Sequence, residues 1–313
     1  MKRTALLAGI LAFVLCLSPA ALAEGEAGMN TATPNSAPVA ENQEIETYRG
    51  VSVGGRLAAC DPNGDKVTFQ ITTKPMKGDV ELSDDGYFVY TPQEGKRGRD
   101  YFGYRATDSE GNVSQEATVI IRLCKQKTAV TYSDLEGSGT EYAAVVLAEK
   151  GIFVGEKVGD SYVFNPNQAV TRGEFLSMCM ELDGKDVLKG VSSTGFLDDG
   201  EISSWLKPYV STALLHGYIR GTAVAGGAKF CPDDKVLLRD ACTMLNAVLN
   251  VTDVISAAAY VGDDNASNAW AQAVANLSAC SVLDANYGDM ASTVTRADAA
   301  QMLSNALSVV QAR

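Results

Sequence analysis

A short pattern that occurs three times constrains the second half of this chain more than any other feature. Val170-Thr171-Arg172-Gly173-Glu174 comes back as Leu237-Leu238-Arg239-Asp240-Ala241 and as Val294-Thr295-Arg296-Ala297-Asp298, with the arginines 67 and then 57 residues apart. Recurrence of this kind marks an architecture built from repeats. The first copy reads as a helix start. Thr171 can cap the first turn, Glu174 can reach back to close a capping box, and the run Phe175 to Leu182 carries a helical apolar pattern. The arginine does not belong to that logic. A cation in the first turn faces the positive end of the helix macrodipole, which disfavours it by roughly 0.3 to 1 kcal/mol.

Other landmarks recur in register. Phe164-Asn165-Pro166-Asn167 and Phe230-Cys231-Pro232-Asp233 precede the first two arginines, and the units open on Tyr132-Ser133-Asp134, Phe196-Leu197-Asp198 and, less well, Tyr260-Val261-Gly262-Asp263. Between opening and arginine lies an apolar helix ending in Gly151 to Gly155 or in Gly217 to Gly221, so each unit reads as helix, loop, helix. The copies are unequal. In the second, Leu238 replaces the capping Thr, Ala241 stands where Glu belongs, and the interval from Pro to Arg is one residue longer; the third has Asp289-Met290-Ala291-Ser292 in place of the Phe-x-Pro landmark.

Before the repeats the period is two. Seven short strands are predicted, at about 44–48, 51–59, 66–73, 79–82, 87–91, 100–107 and 114–123, separated by stretches dense in Gly, Pro, Asp and Asn. Seven strands in a segment this short fit a β-sandwich of the immunoglobulin type.

The first 23 residues have a basic start, an apolar centre and the ending Ala21-Leu22-Ala23, the pattern of a secretory leader cleaved before Glu24. No later stretch is long and apolar enough to span a bilayer. The formal net charge is -12, which argues against nucleic acid and anionic lipid surfaces as partners. Any anionic partner must be met by a few locally placed cations. Cysteines 60, 124, 179, 231, 242 and 280 form no metal-binding spacing, and a bridge such as Cys60 to Cys124 stays open. Among candidate catalytic groups, the one histidine, His216, precedes a turn, and the pairs Asp198-Asp199 and Asp263-Asp264 sit in repeat-opening loops. No nucleophile motif, zinc motif or phosphate loop occurs, so no catalytic residue is assigned.

Two family resemblances follow from these residues. Asp61-Pro62-Asn63-Gly64-Asp65, the strand Asp85-Gly86-Tyr87-Phe88-Val89-Tyr90-Thr91-Pro92 and the strand Asp100 to Asp108 resemble the cadherin-like and immunoglobulin-like repeats of bacterial surface proteins. Some such repeats bind calcium, and Asp61, Asp65 and Asp108 are the ligands this implies; ordinary turn formation explains the same residues. Residues 131 to 310 resemble three S-layer homology repeats. The implied fold is therefore multidomain, an N-terminal all-β immunoglobulin-like sandwich followed by an all-α pseudo-threefold bundle of three such repeats. The expected divisions are a leader at 1–23, a disordered linker at 24–38, the sandwich at 39–124, and repeats at 131–190, 191–255 and 256–313.

The second resemblance also implies a function: a non-catalytic surface protein held non-covalently to a Gram-positive-type wall. Its partner would be an acidic, pyruvylated secondary cell-wall polysaccharide, met by Arg172, Arg239 and Arg296 with Thr171, Glu174, Thr295, Asp298 and Trp205. A guanidinium at a helix N-terminus adds a carboxylate-matching fork to backbone N–H groups that already favour anions. Pairing of Arg172 with Glu174 or another acid is the plainer account of the same residue. A wall-remodelling enzyme subunit with a carbohydrate-binding sandwich is the alternative function. Trp270 and Tyr142 are expected in packing roles.

Overall fold

The computed structural model describes residues 35–251, 265–283 and 288–311. The leader, the linker up to residue 34 and the third opening at Tyr260 to Asp263 lie outside the described residues, as does the pair Asp263-Asp264. The chain divides into two compact units, Met1–Lys127 with Glu136–Tyr142, and Thr128–Leu135 with Ala143–Arg313.

The first unit is built from β1 (Val39–Ala40), β2 (Gln43–Tyr48), β3 (Val53–Arg56), β4 (Ala59–Cys60), β5 (Thr68–Thr73), β6 (Gly78–Leu82), β7 (Tyr87–Pro92), β8 (Gly98–Thr107) and β9 (Ala117–Cys124). Four strands form one sheet in the order β2-β9-β8-β5, three form another in the order β3-β7-β6, and β1 pairs with β4. The strand expected at 51–59 is broken. Leu57 is buried and its N–H bonds to Gly86 O at 2.9 Å, so the chain leaves β3 before starting β4. Alternation decides which side chains face inward: Phe102, Tyr104, Val119 and Ile121 from the larger sheet meet Phe88 and Tyr90 from the smaller. The Phe88 and Phe102 rings meet edge-on at 5.2 Å. Both buried tyrosines have hydroxyl partners. Tyr90 donates to Asp100 Oδ2 at 2.9 Å, and Tyr104 bonds Glu41 O and Ala58 O. Burial pushes the Tyr104 phenol up to about 12. Cys124 is a free thiol beside Glu46, opposite Tyr48 in the β2–β9 ladder, whereas Cys60 lies opposite Val39. The Cys60 to Cys124 bridge is not formed.

The segment Glu136–Tyr142 belongs to this unit through specific bonds. Gly54 N–H donates to Gly139 O at 3.0 Å, an approach that needs glycine, because a Cβ on Gly54 would lie 2.0 Å from the Tyr87 hydroxyl. The Tyr142 ring packs 5.5 Å from Tyr48, and Glu141 accepts from Ser52 N at 2.9 Å. Burial raises the Glu141 carboxyl above its ordinary range, outweighing donation from Ser52. An acid whose folded pKa is raised destabilises the fold as pH climbs through the carboxylate range. Glu141→Gln keeps the acceptor oxygen and removes the charge. Its melting temperature relative to the parent chain should therefore rise between pH 4 and pH 7; a pH-independent difference would contradict this reading of Glu141.

The second unit contains α1 (Glu141–Glu149, from Ala143 on), β10 (Glu156–Val158), β11 (Ser161–Val163), α2 (Arg172–Asp183), α3 (Lys207–Leu215), β12 (Thr222–Val224), β13 (Gly227–Lys229), α4 (Leu238–Leu249), α5 (Asn265–Ala279) and α6 (Arg296–Gln311). Helix, loop, helix is thus incomplete: the first two loops each hold a hairpin. Val158 faces Ser161 and Val224 faces Gly227, leaving two-residue turns at Gly159-Asp160 and Ala225-Gly226. Three-residue strands are too short to carry a visible alternation, which is why the sequence reading passes over them. No helix among the described residues is long and apolar enough to cross a membrane.

Three equivalent segments close on one another. Val170 N–H donates to Val294 O at 2.9 Å, Val294 N–H to Val236 O at 3.0 Å, and Val236 N–H to Val170 O at 3.0 Å. All three valines are buried. This ring corrects the alignment of the second copy. Val236 matches Val170 and Val294, so Leu237 takes the N-cap position of Thr171 and Thr295, and Leu238, not Arg239, takes the position of Arg172 and Arg296. Backbone bonds agree: Arg172 N, Leu238 N and Arg296 N donate to Asp234 O, Ser292 O and Gln168 O respectively. No residue is inserted in the second copy, since Pro166 to Val170 and Pro232 to Val236 are the same distance apart in sequence; its interval from Pro to Arg is longer because Arg239 sits one position later, and Asp240 rather than Ala241 matches Glu174.

Candidate functional site

Each arginine-bearing helix start is docked on the loop of the following unit. Gly173 N bonds Pro232 O and Ala297 N bonds Pro166 O, so Arg172 stands at the second unit's loop and Arg296 at the first unit's. Arg172 therefore does not meet its own Phe164-Asn165-Pro166 loop. Its guanidinium lies 5.4 Å from the centre of the Phe230 ring, while that of Arg296 lies 5.1 Å from Phe153 and donates to Phe164 O at 3.0 Å. The landmarks that the sequence shows intact, Phe-x-Pro of the first copy and Thr-Arg-x-acid of the third, thus share one groove.

The loops are held by the opening aspartates. Asp134 accepts from Phe164 N at 2.9 Å and Asn165 N at 2.6 Å; Asp198 accepts from Phe230 N at 2.8 Å and Cys231 N at 2.7 Å. Asn165 and Cys231 both take φ of 57°, a left-handed conformation unusual for side-chain-bearing residues. Burial works against the Asp198 charge, but these backbone donors and nearby Lys229 hold its carboxyl below the usual range. Asp199 is occupied separately by Lys207 at 2.6 Å and Thr194, and the lysine bond takes its carboxyl down to about 2. Neither carboxylate is poised as a glycosidase acid.

A cavity of about 460 Å³ opens between Arg296, Phe153, Gly155, Glu156, Asn165 and Gln168. A second, of about 310 Å³, continues along Asp134, Asn165, Pro166, Asn167 and Gln168. Among the described residues no carboxylate lies within 4 Å of the Arg172 or Arg296 guanidinium, and Arg172 Nε is buried with no hydrogen-bond partner. Pairing of Arg172 with Glu174 is not what the structure contains. Glu174 Oε2 accepts from Thr171 N at 2.8 Å, and Thr171 Oγ1 accepts from Glu174 N at 3.2 Å. Asp298 and Thr295 close the same box on α6. These four residues set the helix starts and leave the guanidiniums unengaged by acids. Leu237 offers no side-chain cap, and Arg239, one residue late, lies at the Gly173 position. Trp205 sits before α3, 55% exposed and 6.2 Å from the Tyr209 ring, and does not line either cavity.

At one end of the sandwich, carboxylate oxygens of Asp61, Asp65 and Asp108 lie within 4.8 Å of one another. Asp61 Oδ1 accepts from Asn63 N and Asp65 N, and Asp108 accepts from Glu110 N, Asn112 N and Asn112 Nδ2. Burial raises the Asp108 carboxyl, but these donors outweigh it and hold it low. Asn35 Nδ2 also bonds Asp108, at 3.0 Å. Two oxygens have no partner, Asp61 Oδ2 on a residue only 9% exposed and Asn35 Oδ1. Turn duty accounts for the satisfied oxygens and leaves these two unexplained. The sequence reading missed Asn35 because it lies beyond the repeat landmarks that point to the three aspartates.

Comparisons with known proteins bear on the first unit most directly. Residues 35–124 match the family model described as bacterial cadherin-like domain. The chain is also similar to a surface-layer 125 kDa protein of Lysinibacillus sphaericus, 26% identical over 128 residues, which cover 40% of this chain and 10% of that protein. The chain thus spans about a tenth of that relative's length. Solved structures align weakly: an endo-fucoidan hydrolase of glycoside hydrolase family 107 at TM-score 0.24 and 19% identity, covering 30% of this chain and 14% of that one. An adhesin of Streptococcus sanguinis aligns at TM-score 0.21 and 18% identity, covering 31% and 65%. Alignments this weak decide neither fold nor activity. Residues 35–124 form a bacterial cadherin-like domain.

Proposed function

We propose that this is a non-catalytic cell-surface protein, held to the wall by three S-layer homology repeats that bind an acidic secondary wall polysaccharide, and that it displays a cadherin-like domain. The observation that carries this reading is the groove at Arg296: a guanidinium with no carboxylate of the described residues within 4 Å, an aromatic ring beside it, a helix N-terminus and polar Asn165 and Gln168 lining one cavity that Glu156 also borders. A pyruvate-ketal or uronate carboxylate fits that chemistry. Arg172, 5.4 Å from the centre of the Phe230 ring, repeats the pairing of guanidinium and ring at the second unit's loop, and Leu238 removes it from the third position. The surface-layer relative supports the same placement. Full-length protein should co-sediment with purified walls and stay in solution with walls stripped of their acidic polymer; equal sedimentation with both would overturn the reading.

The aspartate cluster supports a calcium site in the sandwich. Calcium takes six to eight oxygens, and the unpartnered Asp61 Oδ2 and Asn35 Oδ1 with the carboxylates of Asp65 and Asp108 offer a hard-oxygen set. A ligand bound to the native state alone stabilises it by about 2.7 kcal/mol at a hundredfold excess over Kd. Calcium should raise the melting temperature of the sandwich transition by several degrees, and Asp61→Asn should abolish the rise. Identical shifts in both proteins would return these residues to turn formation.

A further inference from the structure

The cations of the sandwich are not spread evenly. Residues 35–127 hold twelve of the chain's 26 Lys and Arg against fourteen acids, although the chain as a whole is at -12. The end at which β5 finishes and β8 begins gathers Lys74, Lys77, Lys96, Arg97, Arg99 and Arg122, which outnumber the acids there, Glu44, Glu46, Asp79 and Glu94, while the opposite end holds Asp61, Asp65, Asp84, Asp85, Asp108 and Glu110. The basic end is organised rather than incidental. Lys77 Nζ donates to Arg97 O at 3.0 Å and Arg99 O at 2.7 Å, and Lys77 O accepts from Gln93 N, so two loops are stapled into one surface. Asp100, which is buried, spends its oxygens on Met76 N, Lys77 N and Tyr90 and offers no charge to the surface.

Arg99 and Arg122 stand directly opposite each other in the β8–β9 ladder. Like charges in that relation destabilise a sheet. Glu44 serves both, at 2.7 Å from Arg122 and 3.9 Å from Arg99, yet their side chains remain 48% and 68% exposed. Among the described residues no acid lies within 4 Å of Lys74, Lys96 or Arg97, which are exposed. A local arrangement that costs stability and is kept in an otherwise acidic chain points to a use outside the fold.

We propose that this basic end of the sandwich is a second, independent docking surface for a linear acidic glycan bearing carboxylate or phosphate groups. Fixed, forked and exposed cations favour an extended polyanion, which can engage several at once and release counterions as it does so. A compact acidic partner would be repelled by the rest of this chain, whereas a flexible chain can follow the basic end alone.

The test uses the full chain carrying Arg172→Ala and Arg296→Ala, so that the helical grooves contribute nothing, with polygalacturonate and inorganic polyphosphate as probes. Adding Lys96→Ser, Arg97→Ser and Arg99→Ser should weaken binding about tenfold at low salt, the sum of three exposed charge contacts. Adding Lys66→Ser, Lys150→Ser and Lys189→Ser, an equal change in net charge, should leave it unchanged. Which probe binds more tightly identifies the anionic group. No binding of either probe before the triple change, or equal loss in both triples, would overturn the proposal without touching the reading of the Arg296 groove.

Discussion

Asp198→Ala is expected to lower the stability of the helical unit by about 3 kcal/mol, because it strips the acceptor from two backbone N–H groups, and each buried donor left unpaired costs about 1 to 3 kcal/mol. Phe230 N and Cys231 N both point at this carboxylate, and Asp198 is only 4% exposed, so water cannot replace it easily. For a unit of this size the change amounts to a fall in Tm of roughly 10 °C. Asp198→Asn keeps one acceptor and should fall about half as far. The pH dependence has a definite sign. The Asp198 and Asp199 carboxyls are held below their ordinary values, so their contribution is present above about pH 4 and is lost as pH falls below that, for Asp199 towards about 2. Thermal melts of parent and both variants across that range check all three statements; an unchanged Tm in Asp198→Ala would mean that the Phe230-Cys231-Pro232 loop is held by something else.

The same residue shows what the sequence makes legible. The aromatic-x-Asp opening and the Phe-x-Pro loop are visible as recurring words, but the reason they travel together is the pair of bonds from carboxylate to loop amides, across about thirty residues. Spacing cannot display that. The helices after Arg172 and Arg296 were readable because capping is local: Thr and acid three residues apart are the whole device. The sandwich was readable for a similar reason, since alternating Phe88, Tyr90 and Phe102, Tyr104 write the buried face directly into the chain.

The groove was not readable, for two physical reasons. An arginine and the loop it serves belong to different repeats, joined by a ring of backbone bonds whose donors and acceptors have no side-chain signature. In the second copy the arginine itself also sits one position late relative to Val236, so that matching arginine to arginine aligns Arg239 with a position that Leu238 holds in space. The hairpins β10–β11 and β12–β13 escaped because three-residue strands carry too little pattern. Asn35 escaped because an isolated asparagine ahead of a strand resembles any turn residue, and only its buried, unpartnered oxygen distinguishes it.

The central claim is that Arg296 and Arg172 hold the acidic group of a wall polymer. A charge-assisted hydrogen bond contributes about 1.5 to 3 kcal/mol, which is roughly ten- to a hundredfold in affinity. The most direct measurement takes affinity for purified wall polysaccharide and Tm on the same samples of Arg172→Ala, Arg239→Ala, Arg296→Ala and the Arg172→Ala/Arg296→Ala double variant. Arg172 makes no hydrogen bond through its buried Nε, so its loss should reduce affinity and leave Tm nearly unchanged. Arg296→Ala should reduce affinity at least as much and lower Tm slightly, through the bond to Phe164 O. Arg239→Ala should change neither, because the ring places Leu238 where the arginine would act. Binding in the double variant should fall by at least tenfold and become insensitive to removal of the polymer's acidic groups; a double variant that binds like the parent chain, or an Arg239→Ala that binds as poorly as Arg296→Ala, would contradict the assignment.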